Sequence, residues 1–313
     1  MTSRPDGPVP RSPLFDLVAR VREPSLEALV IAHRGDSMNA PENTLAAFAL
    51  ALENGADAVE FDVQATADDA LVVLHDERLD RTTDAKGEVA ALPLSAVREA
   101  SAGAWFDARF ARERVPTLDE TLDLLSGRAV PLIEVKVKKR RAAAAARAVG
   151  EALVRHGLEE RAVVICRSRA QVAGVREGSP RTPIAYLALT RRQALGALKL
   201  EGVRGADIYW KSVSLALVQR FRELSAFLTP WTVNRAVDMD RLLLLGAEAI
   251  ISDSPLLLRD RIERFEFERS WELAERFRRG ESELGAELAA EAEEAEAEDL
   301  ESSDIDLGPL EEP

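Results

Sequence analysis

The sequence predicts an α/β fold, a (β/α)8 barrel, and three observations lead to that prediction. Short β-branched runs alternate with longer helical stretches along most of the 313 residues, a pattern typical of parallel β/α architecture. The apolar fraction of 46% is enough to bury a core in a chain of this length. A doubly wound open sheet is the main alternative, but the sequence contains no G-x-G-x-x-G phosphate loop.

The strand candidates are short β-branched or aromatic runs bounded by turn residues or by a helical stretch. Nine are predicted, at residues 29–32, 58–63, 71–74, 131–137, 163–166, 183–187, 207–210, 227–232 and 249–251. Because a (β/α)8 barrel needs eight strands, one of the nine is expected to be an irregular segment or an extra pairing. We assign that role to residues 207–210.

Helices are predicted where apolar residues recur at intervals of three or four. The clearest stretches are residues 43–53, 117–125, 141–156, 215–224 and 238–245. The first stretch has boundary signals at both ends, since Pro41 precedes it, Asn43 or Thr44 caps it, and Gly55 follows it.

The connection from His75 to Pro131 is too long for an ordinary βα link, which has about 2–6 residues before its helix. We therefore predict a small insertion after the third strand, at about residues 77–116. In a barrel such an insertion rises from the C-terminal face, where active sites form. Its aromatic residues either pack the insertion onto the barrel rim or contact the substrate; they are Trp105, Phe106 and Phe110.

The negative charge of the chain is concentrated at its C-terminal end. Residues 281–313 hold fourteen acids and no Lys or Arg, so the other 280 residues carry 41 acids and 41 bases. We predict an N-terminal extension at 1–25, the barrel at 26–262, a C-terminal helix at 263–280 and a disordered, low-complexity acidic tail at 281–313. The tail either keeps the protein soluble or binds a partner.

The neutral body argues against nucleic-acid binding, because its basic run at 136–141 is a single short cluster. No stretch approaches the ~18 uninterrupted apolar residues of a membrane span, and residues 1–13 lack the apolar core of a signal peptide. We therefore expect a cytoplasmic protein without a membrane span. Cys166, the single cysteine, lies in an apolar run and is predicted to be a packed thiol.

Two of the three histidines, His33 and His75, each close a short β-like run. Glu60 and Asp62 lie two apart on the strand between them, so both carboxylates point to one face. Glu134 lies in another apolar strand. Three carboxylates from two strands suit a hard cation, Mg²⁺ or Ca²⁺, and histidines readily move protons near neutral pH. The strand ends therefore predict a metal-assisted phosphate site.

Two cationic side chains lie next to these candidates. Arg34 follows His33 and offers a planar fork for phosphate oxygens, or it bridges carboxylates across the barrel mouth. Lys136 is two residues from Glu134 and either shares its position at the barrel mouth or forms a structural ion pair with it. His156 ends a predicted helix and is given no catalytic role.

Several motifs resemble those of the glycerophosphodiester phosphodiesterases and occur in order over roughly residues 28–258. They are His33-Arg34-Gly35, Pro41-Glu42-Asn43-Thr44, Glu60-x-Asp62-Val63, His75-Asp76, Glu134-x-Lys136, Trp231-Thr232-Val233-Asn234 and Ile250-Ile251-Ser252-Asp253-Ser254-Pro255. Each motif alone is weak, whereas their ordered co-occurrence is specific. The resemblance implies a TIM barrel that cleaves a small-molecule glycerophosphodiester to glycerol 3-phosphate and an alcohol, with one divalent cation as cofactor.

The resemblance also implies roles for ten positions. Three carboxylates hold the cation and two histidines act as general acid and base: Glu60, Asp62, Glu134, His33 and His75. Two cationic residues bind the phosphate: Arg34 and Lys136. Three further residues order the site or line the pocket near the glycerol end: Glu42, Trp231 and Asn234.

The resemblance leaves the nucleophile open between water and the substrate's own glycerol hydroxyl, which gives a cyclic phosphate first. The alternative functions are a lysophospholipase D-like hydrolysis of lysophospholipids and a non-catalytic barrel scaffold acting through the acidic tail. Many family members carry Ser-Phe at the end of the fifth strand, where this chain has Cys166-Arg167-Ser168-Arg169. The added positive charge leaves the range of leaving groups open.

Overall fold

The barrel is seen in a computed structural model of the chain, which describes residues 13–19 and 28–279. In chain order the described strands are β1 (Leu29–His33), β2 (Ala58–Ala65), β3 (Leu71–Val73), β4 (Val130–Val135), β5 (Val163–Cys166), β6 (Ile184–Ala188), β7 (Val203–Tyr209), β8 (Phe227–Trp231) and β9 (Ala249–Ser252). Parallel pairing runs in the order β8-β7-β6-β5-β4-β2-β1-β9. At the seam between β8 and β9, Val233 N donates to Ile251 O at 2.9 Å. The predicted (β/α)8 barrel is confirmed.

The ninth strand is not the one that the sequence suggested. β3 pairs antiparallel with β2 and lies outside the barrel. Residues 207–210, which we expected to be irregular, instead belong largely to β7, which pairs with both β6 and β8. Gly205 obscured this strand in the sequence, and the structure shows why a glycine is there: a Cβ at this position would lie 2.3 Å from the Phe227 ring.

The described helices are α1 (Pro13–Ala19), α2 (Leu45–Glu53), α3 (Leu94–Glu99), α4 (Leu118–Leu125), α5 (Ala142–Arg155), α6 (Arg169–Gly178), α7 (Arg191–Ala197), α8 (Leu215–Glu223), α9 (Ala236–Leu244) and α10 (Pro255–Arg279). The five predicted helices are all present, with ends shifted by two residues at most. Thr44 caps α2, because its hydroxyl accepts a hydrogen bond from Ala47 N. Asn43 bonds to Asp62 instead.

The strands divide the core into two layers. Val59, Phe61 and Val63 of β2 pack outward against the helices, while Glu60 and Asp62 alternate with them and face the barrel interior. The lower interior is filled by apolar side chains from seven of the eight barrel strands, all except β7. Helix α1 closes that end, since it packs three apolar residues against this cluster: Leu14, Leu17 and Val18. The charged side chains that face the barrel interior lie at the other end.

The predicted insertion has a small core of its own. Apolar residues from β3 and the following segment pack together there: Val72, Leu74, Leu79, Val89, Val97, Ala102 and Val115. Phe106 lies between Trp105 and Phe110, with ring centroids 5.6 and 5.9 Å apart. These aromatic rings pack on one another and do not line the cavity at the C-terminal ends of the strands, which favours the packing role among the two that the sequence allowed.

The C-terminal helix is longer than predicted, and the acidic tail after it is not described. Helix α10 runs without a break across the predicted boundary at 262/263, and the acidic tail at 281–313 lies outside the described residues. Cys166 is fully buried, as predicted. Across the described part of the chain, no helix has both the length and the apolar character needed to cross a bilayer.

Candidate active site

The site lies at the C-terminal ends of the barrel strands, and strand register explains why its residues meet. His33, at the end of β1, pairs with Glu60 on β2. Asp62, two residues further along β2, pairs with Glu134 on β4. Parallel strands carry inward-facing side chains in layers. The candidates from three strands therefore face one another across the barrel mouth.

Three buried carboxylates form the centre of the site. Ligand oxygens of Glu60, Asp62 and Glu134 all lie within 4.8 Å of one another. Burial raises the pKa of Glu60 well above its usual value, and the charges of Asp62 and Glu134 raise it further. Burial also opposes ionisation of Asp62, but Lys136 and Arg34 more than offset it and lower the pKa of that carboxyl. Ionisation of Glu60 is therefore opposed both by burial and by the charges of its two neighbours.

The chemistry of these donors fits a divalent cation. Lys136 Nζ lies 3.3 Å from Asp62 Oδ1 and 2.9 Å from Glu134 Oε1. Among the described residues, neither oxygen has a well-directed hydrogen-bond donor, although both oxygens are sealed from solvent. Buried polar atoms nearly always have partners, and carboxylate oxygens are the ligands that hard cations prefer. The triad could therefore hold a metal ion.

Arg34 ties this triad to the rim. It adopts a left-handed backbone conformation with φ of 56°, and its N–H donates to Glu60 O at 2.8 Å. Its Nε lies 3.2 Å from Asp62 Oδ2, and its Nη1 donates to Glu42 Oε1 at 3.0 Å. Gly35 is required next, because a Cβ there would lie 2.6 Å from the Ala47 carbonyl carbon. Arg34 thus bridges carboxylates, one of the two roles its position suggested.

His33 is oriented by a carboxylate from the far end of the chain. Its Nδ1 lies 2.6 Å from Asp253 Oδ1, and its Nε2 lies 3.9 Å from Glu60 Oε2. Burial opposes ionisation of Asp253, but its hydrogen bond with His33 and those from Asn234 and Ser37 lower its pKa. An ionised carboxylate can only accept, so we assign the proton to Nδ1. In the neutral ring, Nε2 then carries the accepting lone pair.

His75 has a matching arrangement on the other side of the cavity. Its Nδ1 lies 2.7 Å from Asp76 Oδ1, and Arg81 Nε donates to Asp76 Oδ2 at 2.7 Å. The hydrogen bond from Arg81, together with that from His75, lowers the pKa of Asp76 to about 2 despite partial burial. Arg81 also makes two hydrogen bonds to Glu42, of 2.7 and 2.8 Å. Glu42 therefore links the two cationic side chains of the rim, consistent with a role in ordering the site.

A cavity of about 160 Å³ opens between the two histidines. Seven of the ten predicted residues line it: His33, Arg34, Glu60, His75, Glu134, Lys136 and Trp231. Asp62 lies beneath them, fully buried. Asn234 is not a lining residue, because its amide donates to Asp253 Oδ2 and its carbonyl accepts from Asp253 N. It supports the carboxylate behind His33 rather than the pocket wall that the sequence suggested.

Sequence reasoning gave no role to three residues that the structure places at the site, and it considered a fourth, Arg167, only for its charge near the leaving group. Asp76 and Asp253 orient the histidines, and both occur in motifs that the sequence analysis had already noted. Arg167 is nine-tenths buried, with Nε 3.7 Å from Glu134 Oε1. Asp207 lines the cavity from β7, the strand whose prediction was wrong. The motifs that contain Asp76 and Asp253 could have pointed to their pairing with the histidines, whereas no motif pointed to Asp207.

Replacing Asp253 with Asn should slow turnover by about 10- to 100-fold with little change in KM, because a small misplacement of a catalytic group costs this much. The variant keeps the size of the side chain but removes the charge that holds the proton on His33 Nδ1. Steady-state kinetics test this. Ser37→Ala is the milder control, because it removes a hydroxyl that lies 3.1 Å from Asp253 Oδ1 and 2.9 Å from His33 O but leaves the carboxylate in place. Unchanged turnover in Asp253→Asn would contradict the orienting role.

Asp76→Asn should reduce stability at neutral pH, and the difference from wild type should shrink in acid. The folded-state pKa of Asp76 is about 2 against a usual 3.8, so its ionised form stabilises the fold above the usual value. That contribution is lost as pH falls through the folded pKa. Urea unfolding of both proteins from about pH 7 to pH 3 measures the difference. A difference that grows in acid would be the opposite of this expectation.

Hard-cation ligands beside two carboxylate-oriented histidines suit the hydrolysis of a phosphoric diester, so the fold and the site together define a TIM-barrel phosphodiesterase. Comparison with known proteins gives the family. The sequence profile of the glycerophosphoryl diester phosphodiesterase family matches residues 33–257, and the chain belongs to this family.

The relatives agree along nearly their whole length. A glycerophosphodiester phosphodiesterase of Caldanaerobacter subterraneus subsp. tengcongensis is 36% identical over 237 residues, which cover 74% of this chain and 96% of the relative. Among solved structures, an Oleispira antarctica phosphodiesterase in complex with the product sn-glycerol-3-phosphate has a TM-score of 0.71 and 26% identity, covering 76% of this chain and 97% of that one. A Silicibacter pomeroyi structure described as a glycerophosphoryl diester phosphodiesterase has a TM-score of 0.70, 26% identity and coverage of 80% and 98%.

Proposed function

We propose that the protein hydrolyses glycerophosphodiesters to glycerol 3-phosphate and an alcohol, with Mg²⁺ or Ca²⁺ bound by Glu60, Asp62 and Glu134. The observation that carries this proposal is the buried carboxylate triad, two of whose members line one cavity together with His33 and His75. Family membership supports the reaction class. The structural neighbour from Oleispira antarctica, solved with sn-glycerol-3-phosphate, supports the product.

The phosphate is bound on the charged side of the cavity. Arg34 and Lys136 line this side and supply fixed positive charge beside the triad. When bound, the cation adds charge that stabilises the phosphoryl oxygens in the transition state and relieves the repulsion among its ligands. Arg34 is already held by Glu42, so its guanidinium needs little reorganisation to receive the phosphate.

The two histidines divide the proton transfers. Both rings donate from Nδ1 to an ionised carboxylate, and we assign the proton transfers of the reaction to Nε2 of each ring. The neutral histidine takes the proton of the nucleophile at Nε2, and the protonated one gives its Nε2 proton to the departing alkoxide. Phosphorus-31 NMR during turnover separates the two candidate nucleophiles, because only attack by the glycerol hydroxyl passes through a cyclic phosphate.

The test is product release from defined substrates. Glycerophosphocholine and glycerophosphoethanolamine are incubated with the protein, and glycerol 3-phosphate and the free alcohol are measured together. We expect equal amounts of both products. Cleavage of lysophosphatidylcholine in preference to these diesters would favour the lysophospholipase D-like alternative. If none of the three substrates is cleaved, the scaffold is favoured.

A truncation separates the enzyme from a tail-dependent scaffold. Removing residues 281–313 leaves every residue of the site in place. We expect the truncated protein to keep its full activity, whereas a scaffold acting through the tail would lose its partner. The cytoplasmic location expected from the sequence stays a prediction, which cell fractionation can check.

A further inference from the structure

One buried carboxyl group in the cavity has no part in the mechanism above. Asp207 lies on β7, is only 3% exposed, and lines the cavity beneath the charged groups. Its Oδ1 accepts a hydrogen bond from the Thr229 hydroxyl at 2.7 Å. Within the described part of the chain, Oδ2 has no hydrogen-bond partner, and it is not among the polar atoms sealed from solvent. The second oxygen therefore remains free to bind a ligand in the cavity.

Apolar side chains line the cavity together with Asp207. Leu187 and Ile251 line the same part of the cavity, and the Trp231 side chain forms its wall. Burial raises the pKa of Asp207 well above its usual value, although the Thr229 hydroxyl lowers it; the charge of Glu134 raises it further. An uncharged carboxyl group can both donate and accept a hydrogen bond. It is thus suited to an alcohol rather than to a second phosphate.

A second opening of the cavity indicates which end of the substrate lies against Asp207 and which end leaves. A groove shares His75 and Lys136 with the catalytic cavity and continues outward past Arg167 and Lys138. The leaving alcohol must depart first and needs an open path, which this groove provides. The group retained on the phosphate then lies against the closed floor formed by Leu187, Asp207 and Ile251.

We propose that Asp207 hydrogen-bonds a hydroxyl of the unsubstituted glycerol group and thereby selects deacylated glycerophosphodiesters over lysophospholipids. This inference rests on the proposed function and adds its substrate class. A site built around a hydroxyl strongly rejects an analogue that lacks it, because the buried polar group is left unpaired. An acyl chain on the glycerol would remove a hydroxyl and would need space that the floor does not provide.

The test compares binding of two product-like ligands to the cation-loaded protein by calorimetry. Glycerol 3-phosphate carries the hydroxyls, and n-propyl phosphate lacks them, so the pair isolates hydroxyl recognition from catalysis. We expect wild type to favour glycerol 3-phosphate by about 10- to 100-fold. Asp207→Leu should reduce this preference to nearly nothing while leaving propyl phosphate binding intact, and Asp207→Asn should keep most of it.

The matched control is Asp57→Asn, which alters a buried aspartate whose Oδ2 accepts from Val30 N at 2.9 Å, outside the catalytic cavity. It should leave the ligand preference unchanged. Equal binding of the two ligands by wild type would overturn the inference, as would an Asp207→Leu protein that keeps the preference. If Asp207→Leu fails to fold, the wild-type preference and the Asp207→Asn result still decide. Failure of the proposed function looks different, since wild type would then release no glycerol 3-phosphate from glycerophosphocholine.

Discussion

Glu60→Gln is expected to lower kcat/KM by about a thousandfold or more, because the transition-state charge stabilisation by a bound cation is worth several kcal/mol. The substitution keeps the shape of the side chain and removes one of three charges in the triad. Wild type should melt at a higher temperature with Mg²⁺ or Ca²⁺ than with EDTA, and the variant should lose most of that gain. Kinetics and thermal melts measure both effects.

The control for this substitution is Glu223→Gln at the exposed end of α8, where the carboxylate pairs only with Arg220 among the described residues. Its activity and its response to the cation should equal those of wild type. A Glu60→Gln protein with wild-type activity would show that Glu60 does not act at the metal site. An inactive variant that still gains the full cation-dependent stability would show that the cation binds elsewhere.

His33→Ala and His75→Ala should each reduce kcat by about 10²- to 10⁴-fold, the usual range for loss of a general acid or base. Both should still bind the cation, because the triad supplies its ligands. The double variant should lose much less than the product of the single effects, since residues that act in one reaction step are not additive. Single-turnover kinetics with glycerophosphocholine measure these losses.

The third histidine is a matched control. His156 caps α5 and pairs with Asp119 at 2.8 Å, on the outside of the barrel. His156→Ala should leave kcat unchanged, as its position at a helix end predicts. A loss of activity there as large as that in His33→Ala would mean that the assay reports stability rather than proton transfer.

The barrel was predictable because strand and helix patterns are local. The alternation of short apolar runs with helical stretches located every barrel strand, and the motif order identified the family to which the chain belongs. Only the surplus strand was assigned wrongly, because Gly205 and Arg204 interrupt the apolar pattern of β7. The closing role of α1 was also missed, since a proline-rich extension gave no sign that it packs against the barrel interior.

The part of the site that depends on strand periodicity could be predicted from the sequence, whereas contacts between distant residues could not. Strand periodicity alone places Glu60 and Asp62 on one face. The parallel pairing of β4 with β2 places Glu134 beside them. The pairing of His33 with Asp253 joins residues 220 positions apart, so it depends on closure of the barrel between β1 and β9. Burial of Asp207 likewise depends on three-dimensional packing. Contacts of this kind, between residues far apart in the sequence, cannot be predicted from the spacing of residues along the chain.

The measurement that tests the central claim most directly is release of glycerol 3-phosphate from glycerophosphocholine by EDTA-treated protein, before and after addition of Mg²⁺ or Ca²⁺. We predict no release after EDTA and recovery with at least one of the two cations. Glu60→Gln, assayed in parallel at the same cation concentrations, should show no comparable recovery. Full release by the metal-free protein would contradict the account, because the carboxylate triad would then have no catalytic cation to hold.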